Sequence, residues 1–271
     1  MGKTKHELKN WWQMATLPES KLTRPRNETV YWSDTDSEEN FRLNPKQGYT
    51  ETSITYEYNS QGFRTREFDP ATNRTNVLFF GCSHTEGIGL KEEDTWVDRV
   101  SKEIEKFQDL VTVVPNGFNY YNLGIGGGSG DSVVRNLVNC TNHLIPGVVF
   151  ILWPPSGRFD YYQQDGDYSF WDTKSVHDLS IENMFLYEES HIYNNHMRNT
   201  LIVDLLKKMH GFILVELSAD DLHAEFTKLP KSLDYARDGH WPPSFHRYIA
   251  EKFFGLFKYI LQQQFRSSDS K

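Results

Sequence analysis

The stretch Asn76-Val77-Leu78-Phe79-Phe80-Gly81-Cys82-Ser83-His84-Thr85-Glu86-Gly87 decides how this chain is read. Val77 to Phe80 form an unbroken apolar run closed by Gly81, the pattern of a strand buried on both faces. A serine just past such a strand, on the turn toward a helix, holds its hydroxyl at the sheet edge, where neighbouring backbone N–H groups point at whatever it attacks. The plain alternative is a turn or an N-capping serine.

Working outward, apolar runs and amphipathic segments alternate. From about Asp94 to Phe107, the residues Trp96, Val97, Val100, Ile104 and Phe107 share one face at helical spacing, with Asp94 or Thr95 available as N-cap. Val111–Val114 and Tyr120–Leu123 are strand candidates, and Val133, Val134, Leu137, Val138 and Leu144 mark a second helix. Val148–Trp153 is a further apolar run. Leu201, Ile202, Leu205, Leu206 and Met209 stripe a helix ended by Gly211, Phe212–Leu217 reads as a strand, and a last helix over Ser244–Phe265 aligns Phe245, Ile249, Phe253, Leu256 and Ile260. Strands alternating with helices predict a three-layer α/β/α domain on a central parallel sheet, with ligands beyond the carboxyl ends of the strands.

The first 75 residues differ: they are polar, with Asp34, Asp36, Glu38 and Glu39 close together, and few aliphatic residues. Thr52, Ile54, Tyr56 and Tyr58 alternate with polar residues at the period of a half-buried strand, and Asn59–Gly62 reads as a turn. Residues 1–75 are therefore expected to form an extension or small lobe packed on a main domain at 76–271, with Trp11, Trp12 and Trp32 as anchors. Residues 159–195 lack a clear period and are rich in Tyr161, Tyr162, Tyr168, Phe170 and Trp171, which predicts a folded insertion over the site.

With 271 residues, 38% hydrophobic, the chain can bury a core, and its net charge of −8 repels nucleic-acid backbones. No apolar run approaches the roughly 20 residues of a membrane span, and the start lacks the apolar middle of a signal peptide. Cys82 and Cys140 are too few for a disulfide framework or a thiolate metal cage. No metal or organic cofactor is expected.

Two more strand ends carry chemistry-bearing residues. Asn122-Leu123-Gly124-Ile125-Gly126-Gly127-Gly128-Ser129-Gly130 is a glycine loop able to hold a phosphate or a developing oxyanion, or simply a structural turn. Asp238-Gly239-His240, just before the last helix, can set a carboxylate against one imidazole nitrogen and leave the other free to take a proton. His246, inside that helix, reads as structural.

These blocks, in this order, resemble the SGNH (GDSL) hydrolases over about 76–265. Gly81-Cys82-Ser83-His84-Thr85-Glu86-Gly87 is similar to the family's Gly-Asp-Ser-x-Thr-x-Gly, with Cys82 in place of Asp. Asn122, Gly124 and Gly127 match its Asn-x-Gly-x-x-Gly. The resemblance implies a flavodoxin-like fold, Ser83 as nucleophile, His240 as base, Asp238 as its partner and Gly127 as oxyanion donor. Two departures stand out. Asp238 lies two residues before His240 rather than three, and the Gly-x-Asn-Asp block is replaced by Trp153-Pro154-Pro155-Ser156-Gly157-Arg158, leaving Ser156 or Arg158 to substitute for the Asn. The segment Tyr58–Arg64 also looks like one found in a divergent, partly phage-encoded group, which would place the protein in the cytoplasm or on a virion.

The activity this implies is serine ester hydrolysis of a small acyl group, foremost O-acetyl groups on a carbohydrate. The alternatives are acyl transfer through the same serine, a non-catalytic binding or structural protein on the same fold, and Cys82 as nucleophile. The expected partner is a small-molecule or glycan ester.

Overall fold

The computed structural model describes residues 25–107, 114, 116–141, 143–165, 168–175, 189–228 and 236–268, with the side chains of 161–191, 265, 267 and 268 excepted. Trp11, Trp12, Val111–Val113, Tyr235 and the aromatic side chains expected over 161–171 lie outside what is described.

In chain order the elements are β1 (Glu28–Val30), α1 (Glu38–Leu43), β2 (Tyr56–Tyr58), β3 (Thr75–Phe80), α2 (Ser83–Glu86), α3 (Trp96–Lys106), β4 (Phe118–Asn122), α4 (Gly130–Thr141) and β5 (Pro146–Trp153). There follow β6 (Arg158–Asp165), β7 (Tyr168–Ser175), α5 (Glu189–His210), β8 (Ile213–Ser218), α6 (Ala219–Phe226) and α7 (Pro243–Ser268). Strands β4-β3-β5-β8 form a parallel sheet in that spatial order.

Each central strand is apolar on both faces because each face meets helices. Val77 and Phe79 of β3, with Val148, Phe150 and Leu152 of β5, pack against Trp96, Val100 and Ile104 of α3 and Phe245, Ile249, Phe253 and Phe257 of α7. Leu78, Phe80, Val149 and Ile151 pack on the other side against Val133, Val134 and Leu137 of α4 and Val203 of α5. Each such side chain, fully buried, contributes about 1.5–3 kcal/mol. The result is the expected three-layer α/β/α arrangement. The chain leaves β3 toward β4, then crosses back to β5 on the opposite side, so a crevice opens beyond the ends of β3, β4 and β5.

Several elements differ from expectation. Of the alternating run at 52–58, only Tyr56–Tyr58 pair as a strand, antiparallel to β1, although Ile54, Tyr56 and Tyr58 are buried as the alternation predicts. They close a small separate cluster with Ile88. The segment read as aperiodic begins with the antiparallel hairpin β6–β7 and ends in the first turns of α5, which starts well before Leu201. The expected stripe of α5 is largely on its outer face: Leu201, Leu205 and Met209 are exposed, whereas Val203 is buried and Ile202 and Leu206 pack against the core. In α7, Leu256 is likewise exposed and its neighbour Phe257 is buried.

Candidate active site

Gly81 ends β3 because nothing larger fits: a Cβ there would lie 2.1 Å from Thr85 Oγ1 and 2.8 Å from the Leu152 carbonyl oxygen. The chain then turns at once into α2, with Cys82 fully buried and Ser83 at the start of the helix. Cys82 has no exposed surface, which disfavours its thiol as the attacking group.

The loop before α7 brings His240 to this serine. Its Nε2 lies 2.9 Å from Ser83 Oγ, and its Nδ1 lies 2.5 Å from Asp238 Oδ2. With Nδ1 donating to the carboxylate, Nε2 accepts from the serine hydroxyl. The short Asp-x-His spacing works because Asp238 forms an Asx turn: its Oδ1 accepts the His240 backbone N–H at 3.1 Å while Oδ2 takes the ring. Gly89 (φ +76°) makes room beside it, since a Cβ there would lie 2.2 Å from Asp238 Oδ1. Burial works to raise the Asp238 pKa, but hydrogen bonds from His240 and Thr35 outweigh it, and the carboxyl is held below its ordinary value.

The glycine loop sits against α2. Asn122 Nδ2 donates to the Thr85 carbonyl (2.9 Å), and the Gly126 N–H donates to Glu86 Oε2 (2.5 Å). Gly127 adopts φ +73°, open to glycine at no steric cost. Among the described residues, neither its N–H nor that of Ser83 has an acceptor. Beyond β5, Pro154 and Pro155 supply no N–H at all. Ser156 is exposed with its N–H given to Asp220 Oδ2 (2.9 Å), and Arg158 reaches the Gly128 carbonyl with Nη1 (3.5 Å). A cavity of about 370 Å³ lined by Asp131, Ser156, Arg158, Asp160, Asn195 and Arg198 adjoins this side of the loop.

Residues to which the sequence reading assigned no role at the site complete the surroundings. His84 stacks on Trp241 (3.7 Å between ring centres) and meets the edge of His240 (5.0 Å). Fully buried Glu86 accepts from the Tyr58 hydroxyl (2.7 Å). From the N-terminal lobe, Thr35 Oγ1 donates to Asp238 Oδ2 (2.7 Å), and Asp36 pairs with Arg237 through both carboxylate oxygens. His84 and Glu86 stand inside the motif at 81–87 without a role read for them, and the sequence signal for the lobe residues was the clustering of Asp34 and Asp36 in a polar stretch.

His246 is structural, as expected from its place in the helix. Its Nδ1 accepts the Trp96 backbone N–H (3.1 Å) at the start of α3. Burial lowers its pKa from 6.5 to about 3. The unfolded chain thus takes up a proton below pH 6.5 that the folded chain refuses until about pH 3. Stability is full above that window and falls with acidification, by about 1.4 kcal/mol per pH unit through this group. Urea melts at a series of pH values are expected to show that loss, with a flatter dependence in His246→Gln.

No protein-family model and no curated protein matches the chain. Among solved structures, it is similar to a member of the lipolytic G-D-S-L family from Veillonella parvula, at 12% identity and TM-score 0.39 over 68% of this chain and 98% of that one. It is also similar to the psychrotrophic esterase EstA from Pseudoalteromonas sp., at 13% and 0.35 over 69% and 99%. A third is the acetyl xylan esterase AlAXEase, at 13% and 0.32 over 67% and 98%.

Proposed function

We propose that the protein is a serine esterase of SGNH type. The observation that carries this reading is the unbroken hydrogen-bonded line from Asp238 through His240 to Ser83, at 2.5 and 2.9 Å. His240 Nε2 takes the proton from Ser83 Oγ as that oxygen attacks the ester carbonyl, and ionised Asp238 steadies the imidazolium. The free N–H groups of Ser83 and Gly127 receive the oxyanion. When the alcohol leaves, it takes the proton from Nε2. A water molecule, deprotonated by the same nitrogen, then attacks the acyl-serine, and release of the acid restores the hydroxyl.

Of the two residues offered in place of the missing Asn, Arg158 is the better placed, since its guanidinium borders the glycine loop while the Ser156 N–H is occupied by Asp220. The cavity beside it is lined by the carboxylates of Asp131 and Asp160, the amides of Asn194 and Asn195 and the guanidinium groups of Arg158 and Arg198, with Phe159 and Ile192 among them. Such a lining suits the hydroxyl groups of a sugar better than a lipid chain, and supports an O-acetylated carbohydrate as substrate.

The test is release of acetate from p-nitrophenyl acetate and from acetylated oligosaccharides by the wild type and His240→Ala. Hydrolysis by the wild type, with kcat lower by about 10³-fold or more in the variant, is the expected result. Equal product release by both would show that the triad is not responsible. A new ester formed on an added sugar acceptor would make the enzyme an acyltransferase instead.

A further inference from the structure

The segment Ser33–Asp36 is a tight two-residue turn: the Ser33 N–H donates to the Asp36 carbonyl (2.9 Å) and the Asp36 N–H to that of Ser33 (3.0 Å). Asp34 at its tip adopts φ +54°, a conformation that is uncommon without glycine and that persists when surrounding structure demands it. The turn lies against the loop carrying Asp238 and His240, and Asp34 lies close to Gly126 of the glycine loop. We propose that this turn is a working part of the active centre, with Thr35 as a positioning residue that fixes the Asp238 carboxylate for His240.

Three observations support the assignment. First, the two bonds that Asp238 makes within its own turn, to the His240 ring and backbone, are local and rotate with the loop. The Thr35 bond comes from 203 residues away and ties the carboxylate to a separate part of the molecule. It lands on Oδ2, the same oxygen that holds His240 Nδ1.

Second, the Asp238 side chain has no exposed surface although it sits on a loop. Thr35 contacts the carboxylate from the lobe, and Gly89 closes over it from the other side. A carboxylate shielded this way keeps its hydrogen bonds from being exchanged for water.

Third, the turn itself is anchored where the catalytic loop begins. Arg237, 1% exposed, donates through Nε to Asp36 Oδ1 (2.7 Å) and through Nη2 to Asp36 Oδ2 (2.6 Å) and the Tyr31 carbonyl (2.5 Å). Its Nη1 reaches the carbonyls of Thr50 and Glu51, both at 3.1 Å, and its guanidinium lies over the Trp32 ring at 4.0 Å. Arg237 and Asp238 are adjacent, so the lobe holds one residue by its charge and the next by its hydroxyl. This gives the polar N-terminal residues a task in the chemistry, one that rests on the esterase reading.

The test compares Thr35→Val, which keeps the shape and loses the donor, with Thr35→Ser, which keeps the donor. In Thr35→Val, kcat is expected to fall about tenfold with KM within about twofold, since one charge-assisted bond is lost and no substrate contact. Thr35→Ser is expected to restore most of the rate. The low-field NMR resonance of the His240 Nδ1 proton, which reports its bond to Oδ2 without turnover, is expected to move in the Val variant and return in the Ser variant. Unchanged kcat and an unmoved resonance in Thr35→Val, or equal impairment in both variants, would overturn the proposal. A moved resonance in a protein that hydrolyses no ester would sink the esterase reading and leave the positioning role standing.

Discussion

Ser83→Ala is expected to lower esterase kcat by about 10⁴- to 10⁶-fold, the scale on which loss of a serine nucleophile removes the acyl-enzyme route. The same substitution is expected to abolish covalent labelling by a fluorophosphonate probe, because among the described residues no other hydroxyl meets His240 Nε2. The fold should be indifferent to the change. Ser83 is buried, but its hydroxyl is small and bonds His240, and alanine is a good residue in the first turn of α2, so stability should stay within about 1 kcal/mol. Loss of activity together with an altered melting curve would mean that Ser83 is structural. Retained labelling, with Cys82 buried behind it, would point to a nucleophile elsewhere in the chain.

The second large effect concerns stability. Arg237→Met is expected to cost about 3–5 kcal/mol, the penalty for leaving the partner of a buried pair uncompensated. Asp36 is 1% exposed and would keep only the Tyr56 hydroxyl (2.5 Å) as a strong donor. The backbone carbonyls of Tyr31 and Glu51 would lose the Arg237 donor at the same time, while that of Thr50 keeps the Ser53 hydroxyl (2.9 Å). Combining the change with Asp36→Asn removes the stranded charge, so the double variant should recover part of the loss. The measurement is a pair of urea melts with the double-variant cycle completed. A cost below about 1 kcal/mol for Arg237→Met would show that water enters and replaces the pair.

The sheet was legible because its strands are buried on both faces. Val77–Phe80 and Val148–Trp153 are continuous apolar runs, and a residue facing either way finds helices. The triad was legible because its members sit directly after such strands or directly before a strongly patterned helix. The face of α5 was not. Leu201, Leu205 and Met209 form one helical row, and Ile202, Val203 and Leu206 another beside it, and periodicity alone does not choose between them. What decides is a polar contact: Asn199, on the buried side, donates to Asp131 Oδ1 (3.0 Å) at the start of α4.

The lobe's part in the site left even less trace. A hydroxyl and a carboxylate that meet across some 200 positions have no spacing to detect, and the two-residue turn that presents Thr35 has neither glycine nor proline to mark it. The departures from the family pattern fared differently. The shortened Asp-x-His interval is absorbed by the Asx turn at Asp238, whereas the Asn missing after β5 has no side chain of its own kind in its place, and Pro154 and Pro155 withhold even the backbone donors.

The order of these parts along the chain also governs when the protein can act. Ser83 and His240 are 157 positions apart, so a nascent polypeptide emerging from the ribosome carries its serine long before it carries the base that arms it. Thr35 and Asp36 emerge earlier still and wait, unpaired, for Arg237 and Asp238. On the esterase reading, reactivity is thereby deferred until translation has passed the last of these residues, and a chain cut short before them would lack the base and its partner.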